Sequence, residues 1–240
     1  MMSTMHKQKA PMEPQNTVEK AKSALLAAAL PHVPFDGWSQ STLNAAIDDS
    51  GIDRGLAQAL FARGGIDMAL VFHQQGDALM ISAFAEANLT GLRYRDKVAL
   101  AVRLRLEACP DPELVRRASV LFALPSYAPE GAKALWGTAD AIWQALGDNS
   151  QDINYYTKRA TLCAVYGATV LFWLGDQSDN HKDTWAFLDR RIDNVMNIEK
   201  TKAALRENPF AATLLAGPFK FLGQITPPRP RNDLPGQTKV

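Results

Sequence analysis

Apolar residues recur along this chain at the three- and four-residue spacing of a helix face, and nowhere in a sustained two-residue alternation with a hairpin signal. The pattern predicts an all-α protein. Val18, Ala21, Leu25, Ala28 and Ala29 mark a first helix that Pro31 stops. Ser39 or Ser41 caps a second over Thr42 to Ser50, Gly51 closes it, and Ile52-Asp53 leads into a short third ending near Phe61. Gly64-Gly65 then separates this unit from a longer helix, Ile66 to about Leu89. Further helices are predicted over Tyr94 to Ala108, Pro112 to Ala123, Glu130 to Leu146, Ile153 to Leu174, Lys182 to Ile198 and Thr201 to Phe221.

The helix, turn and short helix between Thr42 and Phe61 have the proportions of a helix-turn-helix. Leu25-Leu26, Ala29, Gly37-Trp38, Leu43, Ala46-Ile47, Gly51-Ile52 and Leu60-Phe61 stand where TetR-class repressors place core and turn residues, so the layout resembles that class. The fold expected is TetR-like: an N-terminal three-helix unit followed by a helical domain for ligand binding and dimerisation. Charge argues against DNA as the target. Between Asp36 and Ile66 the acids Asp36, Asp48, Asp49 and Asp53 face only Arg54 and Arg63, whereas DNA affinity comes largely from cations that neutralise phosphates. The presumed recognition helix offers only Arg54 and Gln58 as readers.

Over the whole chain, 240 residues with 47% hydrophobic content can bury one sizeable core or two small ones. The net charge of +1 provides no global attraction to nucleic acid. Cys109 and Cys163 are expected as reduced thiols, because Cys163 sits inside an apolar helical pattern. Residues 1–16, with Lys7 and Lys9 but no apolar stretch, are expected as a loose arm. The Pro-rich stretch 226–240 is expected as an extended tail. The longest apolar run, Ala160 to Leu174, is interrupted by Thr161, Tyr166, Gly167 and Thr169, and falls short of the roughly 20 residues a bilayer span needs.

Past Lys158-Arg159, the Ile153 to Leu174 helix is apolar on nearly all sides, and its neighbour presents Trp185, Leu188, Ile192, Val195 and Met196 on one face. Such a pair builds either a packed core or dimer seam, or the wall of a lipid cavity. Catalysis finds little support. His6, His32, His73 and His181 share no ligand spacing, the Glu-x-x-His pairs of di-iron bundles are missing, and Gly64-Gly65 is too short for a phosphate loop. No metal or other cofactor is expected.

The most specific stretch reads Asp140-x-x-Trp143, Gly147-Asp148-x-Ser150-x-Asp152-x-Asn154-x-Tyr156-Thr157-Lys158-Arg159-Ala160. It continues as Asp183-Thr184-Trp185-x-Phe187-Leu188-x-x-Arg191-Ile192-x-x-Val195-Met196. Both segments resemble the ubiquinone (coenzyme Q) biosynthesis accessory protein family, and the likeness runs from about Ala21 to Leu222. These are TetR-like lipid-binding proteins that support the di-iron hydroxylase acting on demethoxyubiquinone. The resemblance implies a non-enzymatic homodimer that binds isoprenoid quinone intermediates and passes them to that hydroxylase. It implies a place on the cytoplasmic face of a bacterial inner membrane, or on the matrix side of the mitochondrial membrane in eukaryotic relatives.

On this reading Leu162, Tyr166, Val170, Trp173, Trp185 and Leu188 line the lipid site. Similarity places the partner-facing patch on Asp140, Ile142, Asp152, Tyr155 and Tyr156, with Tyr155 where relatives can carry Trp. The residues themselves leave two readings open. Adjacent tyrosines at a helix start cannot both enter one core, so one is available to a partner; alternatively, Asp152 serves only the helix N-terminus and the tyrosines pack locally. Phe210, Leu214, Phe221 and Leu222 are the membrane-contact candidates in an amphipathic helix that Gly217-Pro218 interrupts; the alternative is a helix docked on the core. The expected organisation is therefore an arm at 1–16, a helix-turn-helix unit at 17–65, a lipid-binding and dimerisation domain at 66–200, an amphipathic helix at 201–225 and a tail at 226–240. The competing function is a TetR-like transcriptional regulator with a hydrophobic effector.

Overall fold

Short polar side chains and glycines set the helix boundaries. Ser39 accepts a hydrogen bond from the Thr42 amide at 3.2 Å, and Asp53, Asp111 and Asp152 accept in the same way from Leu56, Glu113 and Asn154. Gly51, at φ +64°, ends its helix by donating its amide to the Ile47 carbonyl. The computed structural model describes residues 14–207, and the side chains of 17–195. Ten α-helices are described: α1 Pro14–Ala29, α2 Val33–Asp36, α3 Gln40–Ser50, α4 Arg54–Leu60, α5 Gly65–Glu86, α6 Tyr94–Glu107, α7 Pro112–Phe122, α8 Ala128–Ala145, α9 Ile153–Trp173 and α10 Lys182–Glu207. Among the described residues there is no strand. No single described helix is long and apolar enough to cross a membrane.

Two units emerge. The first comprises residues up to Gln75 together with Asp111–Gly131. Leu25, Leu26 and Ala29 of α1 pack with Leu43, Ala46 and Ile47 of α3, with Phe61, and with Leu114 and Ala118 of α7. The Trp38 indole donates to the Leu114 carbonyl at 3.0 Å, fastening α7 into this core. The boundary expected at residue 65 is therefore incomplete, because a segment distant in sequence belongs to the same unit. Gly65 is required where α5 begins: a Cβ there would overlap the Trp38 carbonyl.

The second unit takes the rest of α5, α6, α8 from Ala132, α9 and α10. Its interior includes Val98, Val102 and Leu106 of α6, Ile142 of α8, Leu162, Tyr166 and Trp173 of α9, and Leu188 and Ile192 of α10. It also buries charge. Arg105, 4% exposed, donates to Asp77 at 2.6 Å, and the Thr138 hydroxyl donates to the same oxygen. Gly76 leaves space for this guanidinium, since a Cβ there would lie 2.5 Å from Arg105 Nη1.

Two helix expectations change. The four residues of α2 have no counterpart in the sequence reading, being too short for a periodic signal. The predicted break between Ile198 and Thr201 is absent, and α10 runs on to Glu207 through a stretch without Gly or Pro. Its start is fixed by Asp176, which accepts from the Thr184 amide and hydroxyl and from the Ser178 amide. Residues 1–13 and 208–240 lie outside the described residues, and with them most of the arm, Gly217-Pro218, the membrane candidates Phe210, Leu214, Phe221 and Leu222, and the Pro-rich tail.

Candidate functional site: a cavity and an aromatic collar around α9

The end of α8, the loop after it and the first turns of α9 meet around one guanidinium. Arg159 is 2% exposed and donates from Nε to Asp140 at 2.5 Å, and from Nη1 to Asp148 at 3.0 Å and the Tyr155 carbonyl at 3.2 Å. Its Cζ lies 3.6 Å from the centre of the Tyr155 ring, close enough for cation–π attraction. Asp148, whose side chain is 4% exposed, accepts through its other oxygen from Lys158 Nζ at 2.6 Å and from the Ser150 hydroxyl at 2.8 Å. Burial alone pushes the Asp148 carboxyl up, but hydrogen bonds from Lys158, Ser150 and Arg159 more than reverse this and hold it at about 2. The group is an anion at neutral pH.

A cavity of about 300 Å³ opens beside this network. Val98 of α6, Leu162 and Val165 of α9, and Ile192 and Val195 of α10 form its apolar wall. Tyr94, Arg95, Trp143, Asn154, Thr157, Lys158 and Thr161 supply aromatic and polar lining. Arg95 is ion-paired with Asp193 at 2.5 Å and Asp189 at 3.5 Å, and Lys158 lies over the Trp143 ring. Both cations at the cavity are thus matched by carboxylates.

Of the side chains expected to line a lipid site, only Leu162 lines this cavity. Tyr166, Val170, Trp173 and Leu188 are buried in the interior of the second unit; burial raises the Tyr166 phenol. Trp185 is half-buried, donates its indole N–H to the Asn180 carbonyl and lies under the Arg103 guanidinium. The cavity faces a different stripe of α9, Asn154, Thr157-Lys158, Thr161-Leu162 and Val165, whose first half is polar. Its polar first half sets that stripe apart from the apolar faces of the helix. Its helical spacing was the available signal, as was the one-face run through Ile192 and Val195.

The collar is more surface-lying than the cavity wall, with one correction. Asp152 is exposed, while Tyr155, Tyr156 and Asp140 are partly exposed; the tyrosine rings meet edge-on at 5.1 Å. Trp136 extends the aromatic group, its ring centre 6.3 Å from that of Tyr156. Ile142, expected to face a partner, is fully buried, because it shares the inward face of α8 with Thr138 and Ala139 at helical spacing.

Elsewhere, Arg54 of α4 is paired with Asp48 at 3.2 Å and with Asn44, so the chief cation of the presumed recognition helix is bound within its own unit. Among the described residues, no group of three His, Cys, Asp or Glu side chains is placed to hold a metal ion. Cys109 and Cys163 are both thiols, and burial raises the Cys163 group.

Residues 128–199, which contain the collar and all of the cavity lining except Tyr94, Arg95 and Val98, match the COQ9 family. The rat protein named ubiquinone biosynthesis protein COQ9, mitochondrial, is 31% identical over 200 residues, covering 79% of this chain and 63% of the relative. Its human counterpart is 30% identical over 200 residues (79% and 62%), and that of Xenopus tropicalis 33% over 190 (75% and 59%). The chain spans about 63% of the length of the first of these relatives. Among solved structures, a TetR transcriptional regulator from Nitrosomonas europaea superposes with a TM-score of 0.61 over 72% of this chain and 97% of its own, at 16% identity. That likeness is one of fold alone, and it is the TetR-like fold. The family match falls on α8, α9 and the first part of α10, three of the four helices around the cavity and the collar, and over those residues this chain is similar to the COQ9 family.

Proposed function

We propose that this protein serves ubiquinone biosynthesis without catalysing a step, by holding an isoprenoid quinone intermediate and presenting it to the di-iron demethoxyubiquinone hydroxylase at a membrane. The observation that carries the reading is the juxtaposition on α9: an apolar cavity with a polar rim lies beside a collar of tyrosines and carboxylates. A volume of about 300 Å³ sits at the lower end of the range for small-molecule sites. It suits the head and first part of an isoprenoid tail better than a whole lipid. Valine, leucine and isoleucine supply the favourable transfer of the tail out of water, on the order of 25 cal/mol per Å² of apolar surface. Partly exposed aromatics beside carboxylates have the composition of a protein interface, so Asp140, Asp152, Tyr155 and Tyr156 are assigned to the hydroxylase.

Homodimerisation and peripheral attachment to the inner membrane, or to the matrix side in mitochondria, complete the proposal. The excess of acids between Asp36 and Ile66, and the pairing of Arg54 with Asp48, disfavour a DNA-binding role. Mass spectrometry of protein purified from quinone-producing cells provides the direct test: an isoprenoid quinone precursor is expected in near-stoichiometric amount. Repeated recovery of lipid-free protein from such cells would rule the carrier out.

A further inference from the structure

Asp148 joins the cavity to the collar. One of its oxygens accepts from Lys158, which lines the cavity, and the other from Arg159, which lies beneath the Tyr155 ring. Neither the cavity nor the collar includes Asp148 itself. We propose that Asp148 couples the two, so that an oxygen-bearing amphiphile entering the cavity tightens docking at the Tyr155-Tyr156 collar. The inference rests on the carrier reading above and adds regulation to it.

The physical basis is competition for one cation. Lys158 is 38% exposed, and its ammonium is shared between Asp148 and Ser150, so a carbonyl or hydroxyl oxygen on a guest can draw it away. Asp148 is 4% exposed and cannot exchange that lost partner for water. It retains Ser150 and Arg159, and the Arg159 contact becomes its only ion pair. A guanidinium held more firmly there is held more firmly under the Tyr155 ring and against Asp140, which fixes the collar in one arrangement. A pre-ordered collar loses less freedom when a partner binds. Coupling of this kind is reciprocal, so the docked partner must tighten retention of the guest by the same factor.

The test measures capture of the purified hydroxylase by the full-length protein, with and without ubiquinone bearing a single isoprenyl unit as the probe. In the wild type the probe is expected to lower the capture Kd by on the order of fivefold or more. In Asp148→Asn the amide presents a donor towards Arg159 or Lys158, and the ratio of the two Kd values is expected to fall to one. Lys158→Gln leaves the Arg159–Asp148 pair intact but has no cation for a guest to withdraw, and should give the same ratio of one. It decides the matter if the first variant does not fold. A wild-type ratio of one with both ligands bound overturns the coupling and leaves the carrier reading standing, as does a ratio unchanged in the folded variants. Failure of the wild type to bind either the probe or the hydroxylase overturns the carrier reading, and the coupling with it.

Discussion

The two units bury different things. In the N-terminal unit the core is a set of leucines, alanines and aromatics, and its ion pairs, such as Arg54–Asp48 and Arg63–Asp67, involve partly or largely exposed arginines. Thr42 is the one polar side chain described as buried there. The second unit buries Arg105 and Arg159, paired with one buried carboxylate, Asp148, and two partly exposed ones, Asp77 and Asp140. Removing charges from water costs several kcal/mol per ion, so a fold gains little from such pairs that apolar packing would not provide. Their presence in one unit alone points to arrangement as their contribution. The N-terminal unit holds its shape by packing, whereas the C-terminal unit spends part of its interior on fixing where Tyr155, Lys158 and the cavity wall stand.

The largest predicted effect follows from breaking the buried pair. Arg159→Met leaves Asp148 and Asp140 without the guanidinium between them, and a loss of about 3–5 kcal/mol is expected, read as a lower urea midpoint. Loss of the Tyr155 near-UV dichroism should accompany it at temperatures where the helices persist. A midpoint within experimental error of the wild type would mean that the charges contribute no more here than at the surface.

Glycine substitutions sharpen the contrast next. Gly65→Ala sets a Cβ against the Trp38 backbone carbonyl, which cannot swing aside, and a loss of about 3 kcal/mol is expected. Gly76→Ala sets one against the Arg105 guanidinium, the far end of a flexible side chain but one held by Asp77; about 1–2 kcal/mol is expected. The reverse order in thermal melts would show that the buried ion pair is the less yielding of the two environments.

Acid provides a third comparison. Asp148 is held at about 2 against an ordinary 3.8, so the folded state favours the anion. Its stabilisation is complete above pH about 4 and is lost as pH falls through about 2. Asp176 is lowered too, chiefly by the Thr184 hydroxyl, and contributes with the same sign. Urea midpoints taken from pH 5 down to pH 2.5 should therefore fall, and Asp148→Asn should flatten that slope without abolishing it. An identical slope in the variant would assign the acid response elsewhere.

Most helix boundaries were legible because they rest on local chemistry. Ser39, Asp53 and Asp152 cap through side chains within two or three residues of their own position, and Gly51 adopts a left-handed turn that its neighbours do not influence. The TetR-like fold was legible for the same reason, as a sequence of such elements. What escaped depends on contacts between distant segments. The attachment of α7 to the first unit rests on Trp38 reaching Leu114, and nothing near either residue announces it. The cavity escaped for another reason: α9 is apolar on several faces, so periodicity showed that the helix is enclosed but not which stripe borders open space. The family likeness directed attention to the collar, yet it could not show that Ile142 points inward or that Arg159 organises the rest.

The smallest predicted effect completes the comparison. Arg54 is exposed, lies 3.2 Å from Asp48 and bonds Asn44, and exposed pairs of this kind contribute about 0–1 kcal/mol. Arg54→Ala should therefore shift the urea midpoint by less than about 0.5 kcal/mol in stability terms and leave capture of the quinone probe unchanged. A loss of well over 1 kcal/mol would mean that the N-terminal unit, like its neighbour, depends on placed charges. The distinction between a unit held by packing and a unit arranged by ion pairs would then have to be abandoned.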